Sequence, residues 1–573
     1  MRVTRWAATV VALIAIVVVP ASPAGAHAIL LRTEPSPQTT LSSAPAAVRL
    51  DFSEPVEVAF GAVRVFDVDG TAVDGGPVRR AQGNRQVSVA LPRLNDGTYT
   101  VTWRAVSDDG HPVSGGFQFY VGAPSSISAV PVGQLAKAPT TTTWGFGVLR
   151  FTWFLALFAL IGTVAVRRWV WTPAVRTGGL SSSAAAQRFR RRFSVVLPVA
   201  LAVLLIAGLV ALVFQAATVS GLSLVSSAKP SVLRELFKTT YGRAWLVQTA
   251  LSIALILPVA GLARRRGVGG VRPDVWIGLG GVLAAGVCVA AAFNGHARTD
   301  AWPALAIVSI ALHLFALGLW VGGLGALVGV GLPSARRLDA GERVSLLRLA
   351  VPRFSRLAIG AVAAVVATGV INSFANLDRV ADLWQVAYGR ILGLKIALLL
   401  VALALGWRHL RLPRRLDGDT ATGGARSFGR TSALEAAVLA GAVGLAAILV
   451  VLVPGRSLAL AARGPVNQSQ RAGTYTVQLL VDPSAPGPNE VHVTFVDPQG
   501  LGAAEVVNAT AALTGADGVA HPLALRLIAP GHFVSDADLA TRGPWSLAVN
   551  GSGATSPLST TFRFRLNAPA TAG

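Results

Sequence analysis

The stretch PALAIVSIALHLFALGLWVGGLGALVGVG, residues 303–331, is an almost uninterrupted apolar run of 29 residues. A helix needs about 20 such residues to cross the hydrocarbon core of a bilayer. The run contains one ionisable side chain, His313, about ten residues and therefore roughly 15 Å from its start. It predicts a membrane-spanning helix that buries a histidine, and Gly318 and Gly322 on it predict a close approach to another helix.

Seven further apolar runs surround this one. The mean hydropathy of the chain is +0.57, and 13% of its 573 residues are charged, against about 25% in a soluble protein. The sequence therefore predicts a bundle of eight membrane helices within residues 145–455. The predicted spans are 145–166, 193–215, 244–263, 275–293, 303–331, 354–372, 391–407 and 432–454.

Basic residues between these spans predict the orientation of the bundle. Four alternate loops hold 22 Lys or Arg in total, and the three loops between them hold 7. Basic loops stay on the cytoplasmic side, so both ends of the mature chain are expected outside a plasma membrane. The net charge of +23 is thus a topology signal, and no nucleic-acid partner is expected. The basic loops are 167–192, 264–274, 332–353 and 408–431.

Two short motifs each occur twice in the bundle. Arg-Phe-Ser opens the second span at 192–194 and the sixth at 353–355. In both places the following external loop ends in Tyr-Gly-Arg, at 241–243 and at 388–390. The pattern indicates a duplicated two-helix unit. Chance matching, with Tyr and Arg acting only as interfacial anchors, is the alternative.

Residues 1–26 have the pattern of an export signal, with Arg2 and Arg5 before an apolar run and a small-residue cleavage site at 24–26. Cleavage there makes His27 the first residue of the mature chain. Its α-amine and its ring nitrogen can then close a chelate on one metal ion. An uncleaved anchor helix is the alternative.

Segments in which apolar and polar residues alternate precede and follow the bundle, and they predict β-strands. The sequence predicts a multidomain membrane protein: an all-β sandwich over 27–122, a linker over 123–144, the eight-helix bundle, and a second all-β sandwich over 470–573. The predicted strands are Val48–Phe52, Val63–Asp67, Gln86–Leu91, Tyr99–Val106, Gly116–Val121, Tyr475–Val481, Glu490–Val496, Val506–Leu513, Leu523–Leu527, Trp545–Val549 and Thr560–Leu566.

Metal chemistry in this chain depends on nitrogen and oxygen ligands. Cys288 and the initiator Met1 are the only sulfur-bearing residues, which excludes a disulfide framework and a thiolate or thioether Cu(I) site. Asp109 and His111 are two residues apart and can project from one side of an extended backbone. Together with His27 they make a set of three nitrogens and one oxygen, which suits Cu(II). A plain tight turn at this position is the alternative.

The first domain resembles the periplasmic copper carrier family CopC. The resemblance implies that His27, Asp109 and His111 bind Cu(II), with Glu54 beside the site as a weaker or outer contact. Some CopC proteins also hold Cu(I) on methionines, which this domain lacks. The residues that carry the resemblance are His27-Ala28, Phe52–Pro55, Tyr99–Arg104 and Ser107–Pro112 followed by Gly116-Phe117.

The membrane region resembles the family CopD, which implies passage of copper across the membrane. His296, on the external loop before the fifth span, and His313 inside that span suggest a stepwise path for the ion. A packing histidine and a surface histidine are the alternative. The residues that carry the resemblance are Asn294–His296, His313, Trp320–Gly323, Arg353–Leu357, and Tyr388–Arg390 with Lys395.

The last domain offers weaker signals. His492, His521 and His532 have no metal-ligand spacing. Segments 530–533 and 543–547 resemble the YtkA-like domains that are appended to CopC–CopD fusions. We expect a β-sandwich there.

These expectations combine into one function. The N-terminal domain captures external Cu(II), and the bundle passes copper inward. Copper ions, the lipid bilayer and periplasmic or extracellular copper carriers are the expected partners, and no enzymatic activity is expected. Absence of a Walker motif argues against direct use of ATP. The alternatives are copper resistance by efflux or storage, a copper-dependent oxidative enzyme, and haem electron transfer.

Overall fold

The computed structural model describes two compact units, one helical over 138–455 and one built from the strands before and after it. The described residues are 28, 30–36, 39–52, 55–58, 63–107, 112–122, 140–181, 183–264, 272–294, 302–377, 379–410, 421–450, 452, 466–482, 484, 486–497, 503–515, 517–541, 543–552 and 557–566.

Eight described helices are long and apolar enough to cross a membrane, which confirms the predicted number of spans. Helical structure already begins at Thr140, inside the predicted linker. Most helices extend beyond the predicted apolar runs, because a helix continues into polar residues once it leaves the hydrocarbon. They are α1 (Trp144–Thr177), α2 (Ala184–Ser220), α3 (Thr240–Ala263), α4 (Pro273–Ala292), α5 (Pro303–Ala335), α6 (Ala340–Asn376), α7 (Ala387–Arg408) and α8 (Ser427–Leu449).

Helices α1 and α5 cross at unusually short distance. A Cβ atom on Gly322 would overlap the carbonyl oxygen of Phe158, and one on Gly162 would overlap the backbone of Gly322. The close approach predicted from the glycines is therefore confirmed. Helix α5 also has π-helical turns at Gly318–Gly322 and Leu327–Gly331, a feature that is frequent at functional sites.

The π-helical turns affect the helix face on which Trp320 lies. In a regular α-helix Trp320 would share the face of His313, seven residues earlier. The wider turn at Gly318–Gly322 breaks that spacing before Trp320. Trp320 is nevertheless buried in the helical core.

We expect Gly322→Ala to destabilise the helical unit strongly. The added methyl group meets a backbone carbonyl that cannot rotate away, so the free energy of unfolding falls by about 1–3 kcal/mol or more. Thermal unfolding of the detergent-purified protein measures this. Gly325→Ala, where no atom lies within 4 Å of the added Cβ, is the control, and equal melting temperatures for the two variants would contradict the tight crossing.

The twofold motif corresponds to similar local structure. Helices α2 and α6 both have 37 residues. After α2 come the short helices Leu224–Ser227 and Pro230–Lys238, and after α6 comes the short helix Asp382–Gln385. In both copies the next helix carries Tyr-Gly-Arg. The motif glycines, Gly242 and Gly389, each lie against the backbone of that preceding short helix, where a Cβ would overlap a carbonyl. The glycine is thus required by packing in both copies, which supports duplication over chance.

The N-terminal β region consists of two sheets, as predicted. One has the strand order β1-β3-β7-β6 and the other β2-β9-β8-β4, with β5 also paired to β8. Alternate residues such as Leu50, Val101 and Phe119 are fully buried between the sheets. The strands are β1 (Leu30–Glu34), β2 (Thr40–Leu41), β3 (Ala47–Phe52), β4 (Val56–Glu57), β5 (Val63–Phe66), β6 (Arg79–Ala81), β7 (Gln86–Ala90), β8 (Gly97–Ser107) and β9 (Pro112–Val121).

The C-terminal β region also has two sheets, ordered β10-β11-β12-β16-β15 and β14-β13-β17-β18. Its strands begin at Val466, four residues before the predicted boundary. The predicted single strand Leu523–Leu527 is wrong: the chain bends there and contributes β14 and β15 to different sheets. Strand β16, which carries His532, was not predicted. The strands are β10 (Val466–Ala472), β11 (Tyr475–Asp482), β12 (Gly487–Val496), β13 (Ala509–Thr514), β14 (Ala520–Leu523), β15 (Arg526–Ala529), β16 (His532–Leu539), β17 (Gly543–Ser552) and β18 (Pro557–Leu566).

Candidate metal sites

Four residues predicted at the Cu(II) site, His27, Glu54, Asp109 and His111, lie outside the described residues. Their chain neighbours are described and can be compared. In the first sheet Leu30 pairs with Phe52, the last residue of β3. Leu30 lies three residues after His27 in the chain, and Phe52 lies two residues before Glu54.

The other neighbours lie at the same end of the sandwich. The amide of Phe52 donates to the carbonyl of Arg85 and the amide of Val56 to that of Asn84, both at 2.8 Å, so β3 and β4 meet the same turn. Val56 also pairs with Ser107, the last residue of β8.

Strands β8 and β9 bound the Asp-Gly-His motif directly. Val106 of β8 pairs with Pro112 of β9 in an antiparallel ladder. Strand β8 therefore ends and β9 begins at the end of the sandwich where β3 stops and β4 starts. The described neighbours of all four predicted residues thus converge on one end of the domain.

Within the bundle, His313 belongs to a row of polar side chains between α5 and α6, which we call the polar ladder. The Ser309 hydroxyl donates to Asn372 Oδ1 at 2.9 Å, and His313 Nδ1 lies 2.8 Å from Thr368 Oγ1. Ser309 and Thr368 are buried. Asn376 donates to the carbonyl of Asn372 at 2.7 Å and completes the row at the helix end.

The polar ladder descends from one end of both helices. At 1.5 Å per residue, His313 lies roughly 15 Å below Pro303, where α5 begins, and Thr368 lies roughly 12 Å below the end of α6 at Asn376. Polar side chains at such depth are functional candidates. Sequence reasoning missed Thr368 and Asn372, although Thr-x3-Asn-x3-Asn on one apolar helix was a visible signal.

One tautomer of His313 fits the hydrogen bonds of Thr368. The Thr368 hydroxyl donates to the carbonyl of Ala364 at 2.6 Å, and its oxygen can accept from His313 when Nδ1 carries the proton. In the neutral ring Nε2 then holds the lone pair that a metal ion binds.

Lys395 and Glu435 are ionisable residues that also lie within the spans. Lys395 of α7 interacts electrostatically with His313. Glu435 of α8 is 3% exposed and its carboxylate faces Gly406 of α7. An isolated acidic residue in the predicted eighth span was the signal for Glu435, and the sequence reasoning did not use it.

His296 lies outside the described residues, but the chain just before it is described. Asn294 is buried, and its side-chain amide donates to Gln248 Oε1 of α3 at 3.2 Å. Its own Oδ1 has no hydrogen-bond partner among the described residues. A buried amide oxygen with a free lone pair therefore lies at the end of α4, two residues before His296.

Two of the C-terminal histidines meet in the fold, although they have no metal-ligand spacing in the sequence. His492 Nδ1 lies 3.1 Å from His532 Nε2. His521 stays apart and exposed on β14, beside Asp517. Among the residues that the structure describes, no group of three or more His, Cys, Asp or Glu side chains is arranged to hold a metal ion.

Comparison with known proteins matches this architecture. Three family models match: the CopC domain over residues 30–122, the N-terminal domain of copper resistance protein D-like proteins over 141–305, and copper resistance protein D over 348–449. Copper transport protein CutJ of Bacillus subtilis (strain 168) is 29% identical over 510 residues, which cover 87% of each chain.

Shorter relatives match the first domain. Protein YobA of Escherichia coli (strain K12) is 37% identical over 98 residues, which cover 17% of this chain and 79% of YobA. The crystal structure of CopC from Methylosinus trichosporium OB3b covers 17% of this chain and 95% of its own, with 33% identity and a TM-score of 0.16.

The eight helices and the flanking sheets define a multi-pass membrane protein with a large extramembrane β unit. The three matches place a CopC domain and two domains of copper resistance protein D in one chain, as its sequence predicted. The resemblance of its last domain to YtkA-like domains stays a prediction.

Proposed function

We propose that this protein captures Cu(II) outside the plasma membrane and passes copper inward through its helical bundle. The observation that carries the proposal is the union, in one chain, of a CopC domain with a membrane bundle that holds a polar ladder around His313. Copper is the cargo of this bundle, and no chemical conversion of a substrate is part of the function.

Capture takes place at the end of the N-terminal sandwich. The amine and ring of His27, the ring of His111 and the carboxylate of Asp109 bind Cu(II), and Glu54 adds an outer contact. Convergence of Phe52, Val56 and the paired ends of β8 and β9 at one end supports this assignment. Three nitrogens and one carboxylate oxygen match the ligand preference of Cu(II).

Entry into the bundle is the costly step, because an ion that leaves water loses its hydration. Ligands at increasing depth replace water one at a time: His296 and the Asn294 amide oxygen at the mouth, then the polar ladder down to His313. The lone pair on His313 Nε2 supplies the deepest nitrogen ligand.

Release requires that the deep site does not hold the ion too tightly. Lys395 interacts electrostatically with His313, and when its amino group is protonated it repels a cation there. Glu435 lies eight residues, or roughly 12 Å, above the start of α8. Its carboxylate attracts the ion toward the cytoplasmic half.

Both ends of the mature chain lie outside the cell in this proposal. An even number of spans returns the chain to the side where it started. The Tyr120 hydroxyl of the N-terminal sandwich lies 3.3 Å from His532 Nδ1 of the C-terminal one, a contact that needs both on one side. The basic loops then face the cytoplasm, residues 1–26 act as the export signal, and copper carriers deliver the ion from outside.

Copper accumulation tests the function and its direction together. Cells that express the protein are compared with deletion cells at limiting copper, with total copper measured by mass spectrometry. We expect the expressing cells to accumulate several-fold more copper, because import is the direction proposed. Lower accumulation on expression would reject import in favour of efflux, and equal accumulation would reject transport.

A further inference from the structure

Two buried histidines face each other in the C-terminal sandwich. His492 lies on β12 and His532 on β16, in neighbouring antiparallel strands where Thr494 pairs with His532. The two residues are diagonal neighbours, so their rings lie on one face of the sheet. The two residues are 3% and 1% exposed, and 3.1 Å separates Nδ1 of His492 from Nε2 of His532.

The outer nitrogen of each ring is held by an oxygen. His532 Nδ1 lies 3.3 Å from the Tyr120 hydroxyl, which belongs to the N-terminal sandwich. His492 Nε2 lies 3.5 Å from the carboxylate of Glu490. Histidines that bind metals commonly have their second nitrogen anchored in this way, which orients the ring and fixes its tautomer.

Both rings are neutral at physiological pH and therefore able to act as ligands. Burial lowers the pKa of His532 to about 3, and the neighbouring His492 adds to this shift. Burial also lowers the pKa of His492, against the opposing effect of Glu490. Burial raises the pKa of Tyr120 to about 12, so its phenol keeps its proton.

Proton positions allow an ion to enter between the rings without a change in total charge on them. Without metal, Tyr120 donates to His532 Nδ1, His532 Nε2–H donates to His492 Nδ1, and His492 Nε2–H points to Glu490. When an ion occupies the two inner nitrogens, the His532 proton moves to Nδ1 and is accepted by the Tyr120 oxygen. No proton is gained or lost.

The site favours an ion of single charge. Two neutral nitrogens in a buried pocket compensate a divalent ion poorly, because the cost of burying a charge rises with its square. A Zn²⁺ ion takes about four ligands. The carboxylate of Glu490 balances the charge of a monovalent ion. Imidazole nitrogen is a suitable ligand for copper. Metal–nitrogen bonds of about 2 Å on each side require the rings to separate by about 0.9 Å from the present 3.1 Å.

We propose that His492 and His532 form a second copper site that binds Cu(I). Tyr120 lies eight residues along β9 from Pro112, a distance of roughly 26 Å at strand rise. The pair is thus remote from the start of β9, which directly follows the Asp-Gly-His motif in the chain. Tyr120 makes the N-terminal sandwich part of the site. The proposal is independent of transport and of the Cu(II) site.

Stoichiometry of Ag(I), a redox-inert ion of the same charge, tests the proposal in the full-length protein in detergent. The background is Cys288→Ala, because a thiol also binds soft ions. We expect His492→Gln and His532→Gln each to lose one equivalent of tightly bound Ag(I), and Cu(I) in a chelator competition to behave in the same way. His521→Gln, an exposed histidine of the same domain, is the control and keeps that equivalent.

Tyr120→Phe gives a second readout that does not remove a ligand. It leaves the stoichiometry unchanged and weakens binding by about 10–100-fold, as loss of an outer-shell partner does. If a glutamine variant fails to fold, the Ag(I)-induced rise in melting temperature is measured instead. It is compared between the protein that keeps Tyr120 and both histidines and the Tyr120→Phe variant. Unchanged stoichiometry in both folded glutamine variants, or no such rise in the unsubstituted protein, would overturn the site. We expect a His27 variant to lose Cu(II) binding and to keep Ag(I) binding at the histidine pair. The two proposed sites are therefore tested separately.

Discussion

One extra residue in front of His27 lowers the affinity of the mature protein for Cu(II) by about 100-fold or more. The extension converts the free α-amine into an amide, which is no longer a ligand, and so opens the chelate that amine and ring close together. Loss of an outer-shell partner alone costs about 10–100-fold, and loss of a direct ligand costs at least as much. Competition with a chelator of known affinity measures the change.

A matched pair of substitutions isolates the carboxylate in the same site. We expect Asp109→Asn to weaken Cu(II) binding and its neighbour Asp108→Asn to leave it unchanged, because only Asp109 is assigned as a ligand. Mass spectrometry of the mature chain verifies that it starts at His27. Unchanged affinity after the extension, or equal effects of the two asparagine variants, would refute the chelate.

We expect replacement of His313 by alanine to stop copper transport and to leave Cu(II) capture intact. The variant removes the side chain that we propose as the deepest nitrogen ligand of the bundle, whose Nδ1 lies 2.8 Å from Thr368 Oγ1. An ion that loses this ligand faces the full cost of desolvation at mid-membrane. We expect copper accumulation at limiting copper to fall to the level of deletion cells.

Neighbouring substitutions show whether the effect belongs to the ligand. Leu312→Ala changes an adjacent side chain that is 47% exposed on the outside of α5, and it should transport normally. Thr368→Val keeps the shape of the threonine but removes the oxygen that orients His313, so accumulation falls partially. If His313→Ala is present in the membrane at the ordinary amount and transports copper normally, the polar ladder is not part of the copper path.

The eight spans were predictable because hydropathy over about 20 consecutive residues is a local property. The glycine contact between α1 and α5 was predictable in kind, since Gly318 and Gly322 sit in one apolar run. The π-helical turns were not, because they depend on how the helix packs and not on the apolar pattern. Most strands were predictable from the alternation of apolar and polar residues. Strand β16 was missed because its first four residues are all buried, so the alternation is not visible there.

The sequence by itself determined that this is a membrane bundle between two β regions, and it predicted a copper-type ligand set at His27, Asp109 and His111. Tertiary structure alone decided which residues become partners. Thr368 reaches His313 from 55 positions away and His532 reaches His492 from 40, because helix packing and strand register join segments whose spacing along the chain carries no trace of the contact. Local patterns describe how a segment buries its apolar face, and only the assembled fold determines what that face meets.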